Sequence, residues 1–178
     1  MPRRRSRGMK LLLLLSVGLG LTWTLQDFHP EQVTGPWYTL KLASTDRSVI
    51  EEGGAYRCFM TAIVLLDNGN LNVTYFHRED GKCVKNFYIA EKTDTPGHYT
   101  FEYQGGNYLT FVDVTEDFAI MDLENQSEEG NTVVVEFHGR SLSTDELGWE
   151  RYLVHTRRRS IAPENIVDLS LSRRCDTH

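Results

Sequence analysis

Short runs of alternating hydrophobic and polar residues, separated by turn signals, fill the chain from residue 35 to residue 140. The turns at 67–70, 94–97 and 104–107 are rich in Asn, Gly and Pro, which suit tight reversals of the backbone. Short strands joined in sequence by hairpins indicate an all-β antiparallel barrel or a sandwich. The eight predicted strands span 35–43, 56–66, 71–76, 83–91, 99–103, 108–114, 118–123 and 132–140.

One helix is predicted after the eighth strand. Ser143 and Glu146 have the spacing of a capping box, with Ser143 at the cap. The residues expected to share one helical face are Trp149, Tyr152, Leu153 and Thr156. The three arginines at 157–159 suit a helix C-terminus, although a dibasic processing site is the alternative interpretation. A short ninth strand is predicted at 165–171.

The N-terminus has the pattern of a targeting segment. Its five basic residues are Arg3, Arg4, Arg5, Arg7 and Lys10, and the largely apolar run 11–21 follows them. This order predicts a secretory signal peptide over residues 1–25, cleaved between 18 and 26, and a single domain over 26–178. An uncleaved signal anchor is the alternative, but the run is shorter than the about 20 residues that span a bilayer.

Removal of the leader makes the chain strongly acidic. It takes five of the 19 basic residues and no acid, so 14 basic residues face 25 acidic ones, a net charge of about −11. No basic stripe is left for a nucleic acid or an anionic membrane surface, so neither is an expected partner. The six histidines are scattered and no closely spaced Cys or His set occurs, so no metal or other cofactor is expected.

Three cysteines, Cys58, Cys83 and Cys175, remain in the predicted mature chain. In a secreted protein two of them are expected to pair and one to be left over. Their spacing alone leaves the pairing open.

Several separate segments together resemble the lipocalin family. The residues that carry the resemblance are Gly35, Trp37, Arg140, Cys83 and the tail 164–169 before Cys175. Ala43-Ser44, 91–93 and 97–99 are similar to the odorant-binding, major urinary and salivary or epididymal branch. The resemblance covers residues 31–175. It implies an eight-stranded up-and-down antiparallel β-barrel (a calyx), with one C-terminal helix packed outside and a short ninth strand.

The resemblance also implies roles for its marker residues. In lipocalins the Trp of the Gly-x-Trp motif lies across the closed barrel end and an Arg packs over its ring, a cation–π contact. Gly35, Trp37 and Arg140 are therefore expected to be structural. The resemblance pairs Cys83 with Cys175 and leaves Cys58 free.

Alternation along the strands predicts which side chains face the barrel interior. If Arg140 lies over Trp37, then Thr132, Val134, Glu136 and His138 face inwards and Val133, Val135 and Phe137 face the helix. With the faces that the resemblance implies for the other strands, the predicted ligand-binding residues are Tyr56, Cys58, Met60, Val73, Tyr75, Tyr88, Phe101, Tyr103, Leu109, Met121, Leu123, Val134, Glu136 and His138. Such a set suits a pocket for a small lipophilic molecule. The alternative is that these side chains fill a packed barrel.

Glu136 is the exception in this apolar set. A carboxylate facing an apolar cavity is costly unless it is paired, neutralised or hydrated. We hypothesise that His138 and a tyrosine hydroxyl are its partners, or that it recognises a polar or cationic group of the ligand. The alternative is a position near water at the barrel mouth.

The resemblance implies a secreted, extracellular carrier without enzymatic activity. Its ligand would be a small hydrophobic molecule such as an odorant, pheromone, fatty acid, retinoid or steroid. The protein would be a monomer or weak dimer, with a cell-surface receptor as a further candidate partner. The competing hypothesis is a lipocalin-type prostaglandin isomerase with Cys58 as nucleophile and the Thr39 hydroxyl nearby. A thiol needs a lowered pKa or a base for this role, and no adjacent base is evident in the sequence.

Two sequons predict N-glycosylation, at Asn72 and at Asn125. Asn125 is expected at an exposed turn and is the favoured site. Asn72 is expected to point outwards from the third strand.

Overall fold

The computed structural model describes residues 27–171 and 173–176. Its strands are β1 Gly35–Pro36, β2 Tyr38–Ser44, β3 Phe59–Leu65, β4 Leu71–Glu79, β5 Lys82–Lys92, β6 His98–Glu102, β7 Gly106–Val114, β8 Phe118–Ser127, β9 Gly130–Gly139 and β10 Ile166–Asp168, and its α-helix is α1 Glu146–Arg158. The predicted signal peptide, 1–25, and most of its cleavage window, 18–26, lie outside the described residues.

All ten strands belong to one antiparallel sheet that curls into a barrel. The first predicted strand is interrupted at Trp37, so that β1 pairs with β3 while β2 pairs with β9 on the other side. Two hydrogen bonds join these sides, from Trp37 N–H to Thr61 O and from Met60 N–H to Thr39 Oγ1. The predicted up-and-down barrel with an outer helix and a short last strand is confirmed. β10 lies against β2.

The ladder between the neighbouring strands β5 and β6 is short. Only two residue pairs join these strands, Glu91 with Thr100 and Lys92 with Tyr99. Where the ladder stops, the rings of Tyr88 and Phe101 stack with their centres 4.0 Å apart. Aromatic side chains therefore fill a part of the wall where backbone hydrogen bonds end.

Alternation along the strands, shifted by bulges in β2, β3 and β7, separates two hydrophobic cores. One fills the barrel, and the other lies between β8, β9 and α1, with Phe137 and Tyr152 at its centre. The Tyr152 hydroxyl donates to Val135 O at 2.9 Å. Gly148 allows α1 to pack this close to the sheet, because a Cβ at this position would lie 2.8 Å from the Phe118 ring. The predicted outward positions of β9 therefore do face the helix.

Several predicted element ends are wrong. The helix cap is Asp145, whose carboxylate accepts from Gly148 N–H at 2.7 Å, and not Ser143. Asp is as good an N-cap residue as Ser, and the packing of Gly148 against the sheet determines where the helix starts. The second predicted strand begins at Phe59, because local turns hold residues 54–58. The segment 124–131 is the tight hairpin between β8 and β9 and not a polar linker.

A disulfide joins Cys83 at the start of β5 to Cys175 in the C-terminal tail, with a Cα–Cα distance of 5.4 Å. The neighbouring Arg174 donates to Thr39 O and Leu169 O. The tail is thus held against the outside of the barrel by one covalent and several polar contacts. Cys58 is free, so the pairing implied by the resemblance is present.

Candidate ligand-binding site

One end of the barrel is sealed by Trp37, which is 1% exposed. Its ring nitrogen donates to Val33 O at 2.8 Å. The guanidinium of Arg140 lies 3.6 Å from the ring centre and also donates to Pro36 O and Gln32 O. Any ligand must therefore lie on the other side of Trp37.

The space beyond Trp37 is a small cavity of about 40 Å³. Its lining residues are Thr39, Tyr56, Cys58, Met60, Val73, Tyr75, Tyr88, Phe101, Tyr103, Leu123 and Glu136. Pockets for drug-sized ligands usually measure about 300–1,000 Å³, whereas a cavity of this size holds a few water molecules. The interior is therefore close to packed in this conformation.

Ten of the fourteen predicted ligand-binding residues line this cavity. The other four, Leu109, Met121, Val134 and His138, face inwards but are fully buried and do not reach it. Alternation predicts the face of the sheet on which a side chain lies, but not whether other side chains cover it. The sequence-based set omitted Thr39, although it is two residues from Trp37 and so shares its inward face. The role of all these residues in ligand binding stays a prediction.

A chain of polar contacts crosses this interior. Met60 N–H donates to Thr39 Oγ1 at 2.9 Å, and Thr39 Oγ1 lies 3.1 Å from His138 Nδ1. His138 Nε2 lies 2.8 Å from Glu136 Oε2. The hypothesis that His138 is a partner of Glu136 thus agrees with the geometry. The Glu136 side chain is only 14% exposed, so it is not at an open mouth.

The hypothesised tyrosine partner of Glu136 is wrong for the described residues. The Tyr56 hydroxyl donates to Asn107 Oδ1 at 2.7 Å, and the Tyr103 hydroxyl donates to Ala55 O at 2.6 Å. Both bonds hold the β2–β3 loop over the barrel mouth, and Ile50 of this loop is fully buried. Burial raises the pKa of Tyr56 to about 12, so the hydroxyl is a donor at neutral pH.

The prediction that Asn125 lies at an exposed turn is wrong. Asn125 belongs to β8, is 5% exposed, and its amide nitrogen donates to Gln104 O at 3.0 Å and Tyr103 O at 3.3 Å. A glycan attached to that nitrogen would displace these bonds. Asn72 on β4 is partly exposed, and its glycosylation stays a prediction.

Cys58 precedes β3 and lines the cavity, with its sulfur 3.8 Å from Ala55 O. Burial, and secondarily the charge of Glu136, raises the pKa of the Cys58 thiol. The Thr39 hydroxyl is bonded to His138 and Met60, and no described basic side chain bonds to the thiol. The thiol is therefore protonated at neutral pH, the opposite of an activated nucleophile.

Neither a metal cluster nor a membrane-spanning helix occurs within residues 27–171 and 173–176. No three His, Cys, Asp or Glu side chains there lie close enough to share an ion. No helix there is both long and apolar enough to cross a bilayer.

The sequence and the structure are both similar to those of known proteins. Residues 34–172 match the lipocalin / cytosolic fatty-acid binding protein family. Lipocalin Can f 6.0101 of Canis lupus familiaris is 31% identical over 173 residues, 92% of this chain and 91% of the relative. Major urinary protein 5 of Mus musculus is 33% identical over 176 residues, 94% of this chain and 97% of the relative. The crystal structure of the possum milk whey lipocalin trichosurin with bound 4-ethylphenol has a TM-score of 0.75 and 29% identity, and the match covers 80% of this chain and 99% of trichosurin.

Proposed function

The chain belongs to the lipocalin family, in the branch of the major urinary and odorant-binding proteins, and we propose that it is an extracellular carrier of a small hydrophobic molecule. The observation that carries the proposal is the cavity beyond Trp37, which is lined mainly by apolar and aromatic side chains. The Cys83–Cys175 disulfide and the predicted signal peptide support secretion. A receptor partner and the monomer or weak-dimer state stay predictions.

The small volume requires the cavity to expand when it is filled. Met60 has a flexible side chain, and the Tyr88–Phe101 stack lies where the β5–β6 ladder ends, so we infer that these side chains move when the cavity is filled. Each Å² of apolar surface buried contributes about 25 cal/mol, which favours filling the space with a ligand rather than with water. A compound of the size of 4-ethylphenol, the molecule bound by trichosurin, is a suitable first ligand.

Calorimetric titration with 4-ethylphenol and with octanal tests the proposal. Leu123→Trp fills the cavity from β8, whereas Val64→Trp adds a ring at an exposed position on β3 as a matched control. We expect one molecule to bind per chain, unchanged affinity in V64W, and at least about tenfold weaker binding in L123W, since tenfold corresponds to about 1.4 kcal/mol. Equal binding by both variants, or none by the unaltered protein, would contradict the proposal.

The prostaglandin isomerase alternative finds no support in the surroundings of Cys58, whose thiol has a raised pKa. Incubation with a prostaglandin endoperoxide decides between the two. We expect no isomerisation above the uncatalysed rate. Isomerisation that Cys58→Ala abolishes would replace the carrier proposal with the enzyme.

A further inference from the structure

Glu136 is the only charged side chain among the described residues that line the cavity. One oxygen, Oε2, is bonded to His138, and the other, Oε1, has no hydrogen bond to any described residue. A buried carboxylate is costly unless its oxygens are satisfied and its charge is balanced. The cavity therefore contains an acceptor that is not fully used.

The hydrogen bonds of His138 can all be assigned with a neutral ring, which adds no positive charge beside Glu136. Thr39 Oγ1 already accepts from Met60 N–H, so its own hydroxyl proton is free to donate to His138 Nδ1. His138 Nε2–H then donates to Glu136 Oε2, and every donor in the chain is used. A proton on Nδ1 would instead leave the Thr39 hydroxyl without an acceptor among the described residues. The assignment that gives each of these donors an acceptor has a neutral His138 and uses Glu136 as an acceptor.

The charge of Glu136 acts across the cavity. It contributes, after burial, to the raised pKa of both Tyr56 and Cys58. No Lys or Arg is among the described lining residues, so the protein supplies no cation on the cavity side. Water in the cavity can donate to Oε1, but a balancing positive charge has to come from a molecule that enters the cavity.

We propose that the carried molecule is an aliphatic or aromatic compound with a donor head group, preferably a protonated amine, and that Glu136 binds this head. Thr39 and His138 are positioning residues that hold the carboxylate. The inference rests on the proposed carrier function, since it concerns the ligand of the same cavity. The inference removes fatty acids from the expected ligands, because their carboxylate head group would lie beside the like charge of Glu136.

Titration of the protein at pH 7.5 with hexylamine, hexan-1-ol, hexanoate and hexanal tests the inference with chains of equal length. We expect hexylamine to bind at least about tenfold tighter than hexan-1-ol, as charge-assisted hydrogen bonds are the stronger ones, and hexanoate to bind weakest. Glu136→Gln should reduce the advantage of the amine to less than about threefold. Glu129→Gln, at the exposed β8–β9 turn, makes the same change in net charge and should keep the wild-type order.

The outcomes separate the two proposals. If hexanal and hexan-1-ol bind but the amine has no advantage, or if E136Q keeps it, the head-group inference is overturned while the carrier function stands. If none of the four compounds binds, the carrier function fails and the inference fails with it. The wild-type order alone decides the inference if E136Q does not fold.

Discussion

The two ends of the barrel interior differ in how completely their side chains are packed and hydrogen-bonded. At the closed end Trp37 is buried, its ring nitrogen bonds to Val33 O, and Arg140 covers its face while donating to two carbonyl oxygens. At the cavity end one oxygen of Glu136 has no partner among the described residues, and the side chains enclose a cavity of about 40 Å³. The difference indicates that the closed end provides stability. The cavity end keeps the free hydrogen-bond acceptor and the space that the proposed ligand binding requires.

The largest effect is expected at the closed end. Trp37→Ala removes a large buried ring and the surface on which Arg140 stacks, so the free energy of unfolding should fall by about 3–5 kcal/mol in urea titrations. Phe87→Ala is the control, since Phe87 is 59% exposed, and it should cost less than about 0.5 kcal/mol. Similar losses in the two variants would remove the special role of the closed end.

The disulfide is expected to stabilise the barrel wall near the cavity. Cys83 pairs with Arg78 on β4, three residues beyond the cavity-lining Tyr75, and its bond to Cys175 spans 92 residues. Replacing both cysteines by Ser should lower the free energy of unfolding by about 2–4 kcal/mol, because the unfolded chain is no longer constrained. Cys58→Ser is the matched control with the disulfide intact. An equal loss there would show that thiol packing, and not the cross-link, is responsible.

A smaller effect is expected from the loop that covers the mouth. Tyr103→Phe removes the bond to Ala55 O and should lower the free energy of unfolding by about 0.5–1.5 kcal/mol, and amide hydrogen exchange in 45–57 should become faster. Tyr108→Phe makes the same change at an exposed ring and should alter neither quantity. Unchanged exchange in Y103F would mean that this bond does not hold the loop.

The smallest change concerns reactivity rather than stability. Because the pKa of the Cys58 thiol is raised, iodoacetamide at pH 8 should modify it at least about tenfold more slowly than in the urea-unfolded protein, where a thiol pKa of about 8.5 applies. Mass spectrometry over time gives both rates. Equally fast modification in the folded protein would show an exposed or activated thiol and would strengthen the enzyme alternative.

The sequence was sufficient for the fold and for most faces of the strands, but not for the bulges, the depth of side chains or the strand ends. Alternation from Trp37 and Arg140 places Glu136 and Phe137 on opposite faces, because a strand has no other period. Alternation cannot tell that Val134 is fully buried and does not reach the cavity, which depends on side-chain packing from other strands.

The errors at Asn125 and Ser143 have a related origin. Residues around Asn125 are polar, as in a loop, yet their backbone pairs with β7 and β9, and the side chain satisfies carbonyl groups of the β6–β7 turn. For Ser143 the competing cap, Asp145, is selected by the fit of Gly148 against the sheet. Both outcomes depend on contacts between segments distant in sequence. The cavity volume depends on them as well.

Methyl-resolved NMR during titration with 4-ethylphenol tests most directly whether the cavity is the binding site. Leu123 and Ile120 both lie on β8 and are both buried, but Leu123 lines the cavity and Ile120 packs in the core beneath α1. The proposed carrier function predicts large shift changes for Leu123 and Val73 and none for Ile120. Shifts confined to Ile120, or to residues around the exposed Phe87, would contradict it.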